Sequence, residues 1–169
     1  MLLVRHSAPE LDPSAPSEEW RLSEEGRRRC GPLAERLAQH APRVLLASSE
    51  PKARETAELV APTLGLEVQL SNGLRETARR TIGWLAPEDL DRGIRGLFDR
   101  PGEVVFGEES AAAALARFEA AVAGLPEPAV VVTHGTVLSL YAAPRIGRDA
   151  YELWGSLELP DVVEVPWSS

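Results

Sequence analysis

The chain consists of short apolar runs that are separated by longer segments in which apolar residues recur with helical spacing. Residues 2–4, 44–47 and 129–132 are continuously apolar, which predicts strands that are buried on both faces of a sheet. Residues 66–70 alternate in polarity and predict a further strand. These runs are too short for buried helices, so the pattern favours a sheet of short strands.

Helical spacing and capping signals occupy most of the intervals between these strands. Ser23 and Ser110 are suited to cap helix N-termini, and Gly65 is suited to end a helix. The segments with a helical pattern are 23–40, 51–64, 87–98, 111–122 and 135–142. Proline-rich residues 8–20 predict an irregular loop, and weak alternation over residues 151–165 predicts a hairpin.

Strands that alternate with helices predict an α/β fold, a three-layer sandwich with a mainly parallel central sheet flanked by helices. The length of 169 residues fits one domain with a single hydrophobic core, so we expect residues 1–169 to form one domain. Between residues 77 and 110 the pattern is less regular, which predicts a small lid or insertion.

Composition narrows the classes of partner. The formal net charge is −8, from 26 acidic and 18 basic residues, so binding to nucleic acid or to an anionic membrane surface is not expected. Cys30 is the single cysteine, which excludes an intrachain disulfide and a cysteine metal cluster. A cytoplasmic location is the default expectation, because no signal peptide or apolar membrane span is visible.

Side chains suited to catalysis follow several of the predicted strands. Arg5 and His6 follow the first apolar run, residues 48–54 follow the second, and His134 follows the run that ends at Val132. Glu76 lies shortly after the alternating strand. Ligands of open parallel sheets bind beyond the carboxyl ends of the strands, so we expect these groups to meet at one sheet edge. His40, the remaining histidine, lies at a helix end, and we expect it at the surface.

The ordered set of motifs resembles the histidine phosphatase superfamily, with its phosphoglycerate-mutase-like fold. The motifs that carry the resemblance are Leu3-Val4-Arg5-His6, Leu22-Ser23-Glu24-Glu25-Gly26-Arg27, Ser48-Ser49-Glu50-Pro51-Lys52-Ala53-Arg54-Glu55-Thr56-Ala57, Leu74-Arg75-Glu76, Gly107-Glu108-Glu109-Ser110 and Thr133-His134-Gly135. They span about residues 1–143 in the order that the superfamily has them. Ser7 departs from the pattern, because the superfamily usually has glycine after the histidine.

The chemistry of a phosphate ester assigns a role to each group. A neutral imidazole at His6 has a lone pair that can attack phosphorus and form a phosphohistidine. Arg5 and Arg54 are expected to bind the phosphate oxygens through charge-assisted hydrogen bonds, with a contact from Ser48 as an alternative to a simple loop cap. Glu76 is expected to be protonated, to donate to the leaving oxygen, and then to activate water.

The resemblance further implies that the imidazole of His134 faces the phosphoryl group. A protonated His134 would add to the binding of the anion. Arginines and a tryptophan between Glu76 and His134 are expected either to reach the far end of the substrate or to lie solvated on the surface; they are Arg79, Arg80, Trp84, Arg92 and Arg95.

The sequence therefore predicts a phosphomonoester hydrolase that acts through a phosphohistidine on a small phosphorylated metabolite. No cofactor is expected, and no metal ion, because no side chains stand at metal-ligand spacing and arginines can supply the positive charge. A phosphoglycerate-type mutase, a protein-phosphohistidine phosphatase and a noncatalytic phospho-ligand-binding protein remain as alternatives. The sequence leaves open whether the chain forms a homodimer.

Overall fold

In the part of the chain that the structure describes, five strands form one sheet in the order β3-β2-β4-β1-β5. Their bounds are β1 (Leu2–Arg5), β2 (Val44–Ser48), β3 (Val68–Ser71), β4 (Ala129–Thr133) and β5 (Asp161–Glu164). β1 to β4 pair in parallel, and β5 pairs antiparallel with β1 at the edge. The computed structural model describes residues 1–166, so the last three residues of the predicted domain, 167–169, lie outside the described part of the chain.

In the described residues 1–166, six α-helices cover the two faces of the sheet and its carboxyl edge. They are α1 (Glu24–Ala38), α2 (Pro51–Leu64), α3 (Pro87–Asp99), α4 (Ala111–Val122), α5 (Gly135–Arg145) and α6 (Ala150–Ser156). The hydroxyls of Ser23 and Ser110 accept backbone N–H groups at the starts of α1 and α4, as the sequence predicts, and Gly65 ends α2 with a φ of 64°. Within residues 1–166, no helix has the length and apolarity needed to cross a membrane.

The continuous apolar runs of β1, β2 and β4 exist because each strand is buried on both faces. Alternate residues of β1 point to opposite sides: Val4 packs in the cluster under α1 and α2, and Leu3 packs in the cluster under α4 and α5. In the second cluster, Phe118 and Leu138 are fully buried. This arrangement confirms the predicted three-layer α/β sandwich.

Residues 77–110 form a third apolar cluster of their own. Ile94 and Leu97 of α3 are fully buried there, together with Phe106, and Tyr151 and Trp154 of α6 pack against them. The carboxylate of Glu108 accepts the backbone N–H groups of residues 80 and 81 and thereby closes the base of the segment. We refer to residues 77–110 as the lid segment.

The predicted hairpin over residues 151–165 is wrong. Its first half is α6, capped by Asp149, whose carboxylate accepts the N–H of Glu152 at 2.9 Å. Tyr151 and Trp154 are three residues apart on one face of this helix and pack against the lid segment. The weak alternation concealed this spacing, and only the β5 half of the segment is a strand.

Candidate active site

The sheet brings the two strand-end histidines together. β1 and β4 are neighbouring parallel strands with Arg5 in register with Thr133, so the residues that follow them leave the sheet side by side. The rings of His6 and His134 lie 5.1 Å apart between centroids and are inclined by 61°. Both side chains are buried. The geometry therefore places two imidazoles side by side at the carboxyl edge.

The ring of His6 is held by its own chain. Its Nδ1 lies 2.7 Å from the carbonyl oxygen of Ser7. Burial lowers the pKa of His6 well below its ordinary value, and the neighbouring His134 and Lys52 lower this pKa further. The neutral ring must then donate from Nδ1, because a carbonyl can only accept, and the lone pair lies on Nε2.

Ser7 has a defined structural role in place of the usual glycine. Its hydroxyl donates to the carbonyl of Gly26 at 2.7 Å, and its N–H donates to the hydroxyl of Thr56 at 3.0 Å. Ser7 is not among the described residues with positive φ, so serine brings no backbone strain. Glycine is required instead at position 26, where a Cβ would lie 2.0 Å from the carbonyl oxygen of Ala8.

His134 is also neutral in the free protein. Burial lowers its pKa well below the ordinary value, Lys52 lowers it further, and the carboxylate of Glu76 only partly opposes them. The additional positive charge that a protonated His134 would supply is therefore absent from the unliganded site. Its Nε2 forms a 2.9 Å hydrogen bond with the hydroxyl of Ser48, which is fully buried at the end of β2. Ser48 thus orients the second imidazole.

Glu76 caps the helix that follows His134. Its carboxylate accepts N–H groups from Thr136 at 3.0 Å and Val137 at 3.3 Å, in the first turn of α5, and from Thr77 at 2.9 Å. Burial raises the pKa of Glu76, but Arg79, His134 and these N–H donors outweigh burial and leave the pKa below its ordinary value. Glu76 is therefore ionised in the free protein, and the protonated acid expected for the reaction remains a prediction for the substrate complex.

Arg117 of α4 holds the segment that carries Glu76. Its guanidinium donates to the carbonyl oxygens of residues 73, 75 and 76 at 2.7 to 2.9 Å and pairs with Glu109 at 2.8 Å. Sequence reasoning did not single out Arg117, because an arginine on an alanine-rich helix resembles a solvated charge. Glu109 in the predicted Gly-Glu-Glu-Ser turn was the available signal.

Arg5 reaches the site from the end of β1. One terminal nitrogen donates to the carbonyl of Leu157 at 2.7 Å, and the buried Nε has no hydrogen-bond partner within residues 1–166. Burial lowers the pKa of Arg5, and the carboxylates of Glu76 and Asp161 oppose this effect. A Cβ at position 135 would lie 3.2 Å from this Nε, so Gly135 leaves space beside the guanidinium.

The structure does not bring Arg54 into the site. Its guanidinium pairs with Glu58 at 2.7 Å on the outer face of α2, and the side chain is 54% exposed. Lys52 takes the place that we assigned to Arg54: it is 5% exposed, and its charge acts on both histidines. Residues 52 and 56 share the inner face of α2, whereas residue 54 is about 200° away from residue 52 around the helix. The spacing of Arg54 and Glu58, four residues apart, already indicated an exposed pair.

Glu50 is a second carboxylate that sequence reasoning missed. One oxygen lies 2.9 Å from Nζ of Lys52 and 3.6 Å from Nε2 of His134, and the other accepts the N–H of Glu76 at 2.8 Å. An acidic residue at the start of a helix normally indicates only a favourable dipole contact, so the sequence held no specific signal. Glu50 links the start of α2 to the segment that carries Glu76.

Of the four lid arginines that the sequence analysis named, only Arg79 lies near the side chains of the site. Arg79 lowers the pKa of Glu76, and one of its terminal nitrogens is buried without a hydrogen-bond partner in residues 1–166. The other three contact groups outside the site: Arg80 pairs with Glu18 and Glu19, Arg92 pairs with Asp89, and Arg95 lies over the ring of Tyr151.

The assembled site has a charge pattern suited to a phosphate dianion. The cations Arg5, Lys52 and Arg79 face two neutral imidazoles and the carboxylates Glu50 and Glu76. Guanidinium and ammonium groups form charge-assisted hydrogen bonds with phosphate oxygens. Among the described residues, no group of three or more His, Cys, Asp or Glu side chains is arranged to hold a metal ion.

Comparisons with known proteins agree with this geometry. Residues 1–163 match the family model of the histidine phosphatase superfamily (branch 1). The structure is similar to the mycobacterial glucosyl-3-phosphoglycerate phosphatase, with 23% identity, a TM-score of 0.71 and coverage of 94% of this chain and 84% of that chain. It is also similar to a Thermus thermophilus protein, TTHB049, with 28% identity, a TM-score of 0.66 and coverage of 88% and 85%. No curated protein matches the chain. The match over residues 1–163 shows that the chain belongs to the histidine phosphatase superfamily, branch 1.

Proposed function

We propose that the protein hydrolyses phosphomonoesters of small metabolites, with His6 as the nucleophile. The observation that carries the proposal is the 2.7 Å hydrogen bond between Nδ1 of His6 and the carbonyl of Ser7. It leaves a neutral ring with its lone pair on Nε2, side by side with the ring of His134. A nucleophile that is deprotonated and fixed by the backbone is ready for in-line attack on phosphorus.

The phosphate oxygens bind to the cations around the two imidazoles. Arg5 and Arg79 each have a buried guanidinium nitrogen without a partner in residues 1–166, and an anion can satisfy both. Lys52 adds an ammonium group from α2. In the transition state, these fixed positive charges and His134 stabilise the charge that develops on the equatorial oxygens.

Glu76 supplies the proton for the leaving group once substrate is bound. A phosphate dianion near this carboxylate raises its pKa and offsets the N–H donors that lower it in the free protein. The bond from Nε2 of His6 to phosphorus then forms as the bond to the ester oxygen breaks, and Glu76 protonates that oxygen. In the second step Glu76 takes a proton from the water that attacks the phosphohistidine, which releases phosphate and restores His6.

Related proteins support anion binding at such a site. The mycobacterial glucosyl-3-phosphoglycerate phosphatase has been solved in complexes with VO3 and with inorganic phosphate. Its name also supports a small phosphorylated metabolite as the class of substrate. We propose that catalysis needs no metal ion, because arginine and lysine side chains supply the positive charge that a metal would otherwise provide.

Hydrolysis of p-nitrophenyl phosphate in excess chelator tests the proposal. We expect turnover by the wild type, and we expect His6→Asn to lower kcat/KM by about 10³-fold or more, because the attacking nitrogen is lost. His40→Asn is the matched control, with an expected change within about twofold, because this histidine lies at the surface. A phosphohistidine trapped in an alkaline quench of labelled substrate should be present in the wild type and absent from His6→Asn.

Other outcomes of these experiments separate the alternatives. Undiminished activity in His6→Asn, or activity abolished by the chelator, contradicts the proposal. Rapid isomerisation of 3-phosphoglycerate with bisphosphoglycerate, without release of phosphate, identifies a mutase instead. Hydrolysis of phosphohistidine peptides in preference to every ester identifies a protein-phosphohistidine phosphatase. Phosphate binding by a folded protein that turns over none of these substrates identifies a noncatalytic binder.

A further inference from the structure

A cavity of about 340 Å³ adjoins the proposed phosphate site. It lies between the loop over residues 11–20 and the lid segment. Two of its lining residues connect it to the site: the carbonyl of Ser17 accepts from Nζ of Lys52 at 2.5 Å, and Arg79 acts on Glu76. The volume is in the range that binds small molecules. The part of a substrate beyond its ester oxygen therefore has a defined space next to the phosphate.

The walls of this cavity are mostly apolar, apart from Ser17, Arg79 and Arg80. Leu85, Leu90 and Ile82 of the lid segment face Leu11 and Trp20 across it, and within residues 1–166 no lining side chain is acidic. The rings of Trp20 and Trp84 lie 5.9 Å apart between centroids. Leu11 and Trp84 are 59% and 50% exposed and lie together in the lining of this cavity, and a continuous apolar surface of this kind can mark a ligand-binding groove.

Two of the polar side chains around the cavity, Trp20 and Arg80, already have partners. The indole N–H of Trp20 donates to the carbonyls of Asp12 at 2.9 Å and Ala15 at 3.1 Å. Arg80 is paired with Glu18 and Glu19. Arg79, with its unpartnered terminal nitrogen, is left to bind the phosphate. Most of the lining is apolar, so hydroxyl or carboxylate groups in the body of the cavity would lose water and gain few hydrogen bonds, which is unfavourable.

We infer that the cavity binds the leaving group of the substrate, and that this group is an uncharged, aromatic or otherwise apolar alcohol. A flat ring of this kind packs on the two tryptophans while its phosphate lies against Arg79 and Lys52. Sugar phosphates and phosphoglycerate are then poor substrates. The inference rests on the proposed function and adds to it the chemical class of the leaving group.

Two primary-alcohol esters with similar leaving oxygens test the inference: 2-phenylethyl phosphate and glycerol 1-phosphate. We expect kcat/KM to be at least about tenfold higher for the phenylethyl ester, because its ring is buried on binding. Trp84→Ala should lower the ratio of the two kcat/KM values about tenfold, mainly through KM for the phenylethyl ester. Val104→Ala, an exposed apolar lid residue outside the cavity lining, is the control and should leave the ratio unchanged.

Binding to His6→Asn separates failure of the inference from failure of the proposed function. Calorimetric titration of this variant measures affinity for the same two esters without turnover. Equal affinities, or a ratio that survives both Trp84→Ala and Leu11→Ser, would overturn the inference even if the wild type is an efficient phosphatase. Preferential binding of the phenylethyl ester with no turnover by the wild type would support the cavity assignment and overturn the proposed hydrolysis.

Discussion

The phosphate site and the cavity beside it are built in opposite ways. At the carboxyl edge of the sheet, polar side chains are almost completely buried, and His6, Ser48 and His134 are each held by a hydrogen bond of 2.9 Å or less. In the cavity, large apolar side chains are half exposed, and the arginine that joins its two walls, Arg80, is 63% exposed. Electrostatics dominate the first region, whereas apolar contact dominates the second.

This difference indicates that one region carries out the reaction and that the other determines which substrates bind. Groups at the strand ends sit on rigid elements whose positions follow from sheet register, which suits a reaction that depends on precise placement. The cavity walls come from a loop and from the lid segment, which the sheet does not hold. Substitutions at the sheet edge should therefore change kcat and pH dependence, whereas substitutions in the cavity should change KM and the choice of substrate.

Among the substitutions that compare the two regions without removing the proposed nucleophile, the largest effect is expected at Lys52. Lys52→Met should lower kcat/KM about 100-fold, because a buried charge-assisted contact with the phosphate contributes roughly 1.5–3 kcal/mol. Arg54→Met is the matched control on the same helix and should stay within about twofold, because its guanidinium pairs with Glu58 in solvent. Steady-state kinetics with p-nitrophenyl phosphate measure both variants.

Because Glu50 pairs with Lys52, the single variant Lys52→Met also affects stability, and a double variant separates the two effects. Without Lys52 its carboxylate is nearly buried and has lost its ion pair, which by itself destabilises the fold. The double variant Glu50→Gln/Lys52→Met removes that penalty, so thermal stability should recover while activity stays low. Recovery of activity in the double variant, or an equal loss in Arg54→Met, would show that Lys52 does not bind the phosphate.

Much of the fold was predictable because its signals are local. The apolar runs of β1, β2 and β4 are buried on both faces, and Ser23, Gly65 and Ser110 cap their helices as the pattern indicated. The exception was α6. A seven-residue helix provides only two turns of spacing, and its apolar residues pack on the distant lid segment, which no local pattern reveals.

The candidate site was less predictable than the fold, because strand ends give the place but not the direction of a side chain. His6, His134 and Glu76 could be placed at one edge of the sheet because each follows a predicted strand, and the ordered motifs of the superfamily supported that placement. The choice between Lys52 and Arg54 depended instead on which face of α2 points inward. The buried residues Ala53 and Ala57 define that face. Protonation states were beyond local reasoning, because they depend on burial and on charges brought together from distant segments.

The next largest effect is expected at His134, on the pH dependence of the free energy of unfolding. Because the pKa of His134 is lowered in the folded protein, the unfolded chain binds a proton below about pH 6.5 that the folded chain does not. The free energy of unfolding should therefore fall as pH drops below this value, by about 1.4 kcal/mol per pH unit for this imidazole.

His134→Asn should remove that part of the slope between about pH 6.5 and pH 5, above the range in which carboxylates titrate. Urea unfolding at several pH values measures the slope. A slope that is the same in His134→Asn and the wild type would mean that His134 is not held neutral by burial.

The smallest effect is expected at Arg80, which joins the lid segment to Glu18 and Glu19. These ion pairs are exposed, so Arg80→Ala should change the free energy of unfolding by less than about 1 kcal/mol, and less still at high salt. KM for 2-phenylethyl phosphate should rise about twofold, because one wall of the cavity loses its tie to the other. Arg92→Ala removes an equally exposed pair within α3 and should leave KM unchanged. A tenfold fall in kcat for Arg80→Ala would contradict the division between the two regions, because the lid segment would then help to place the reacting groups.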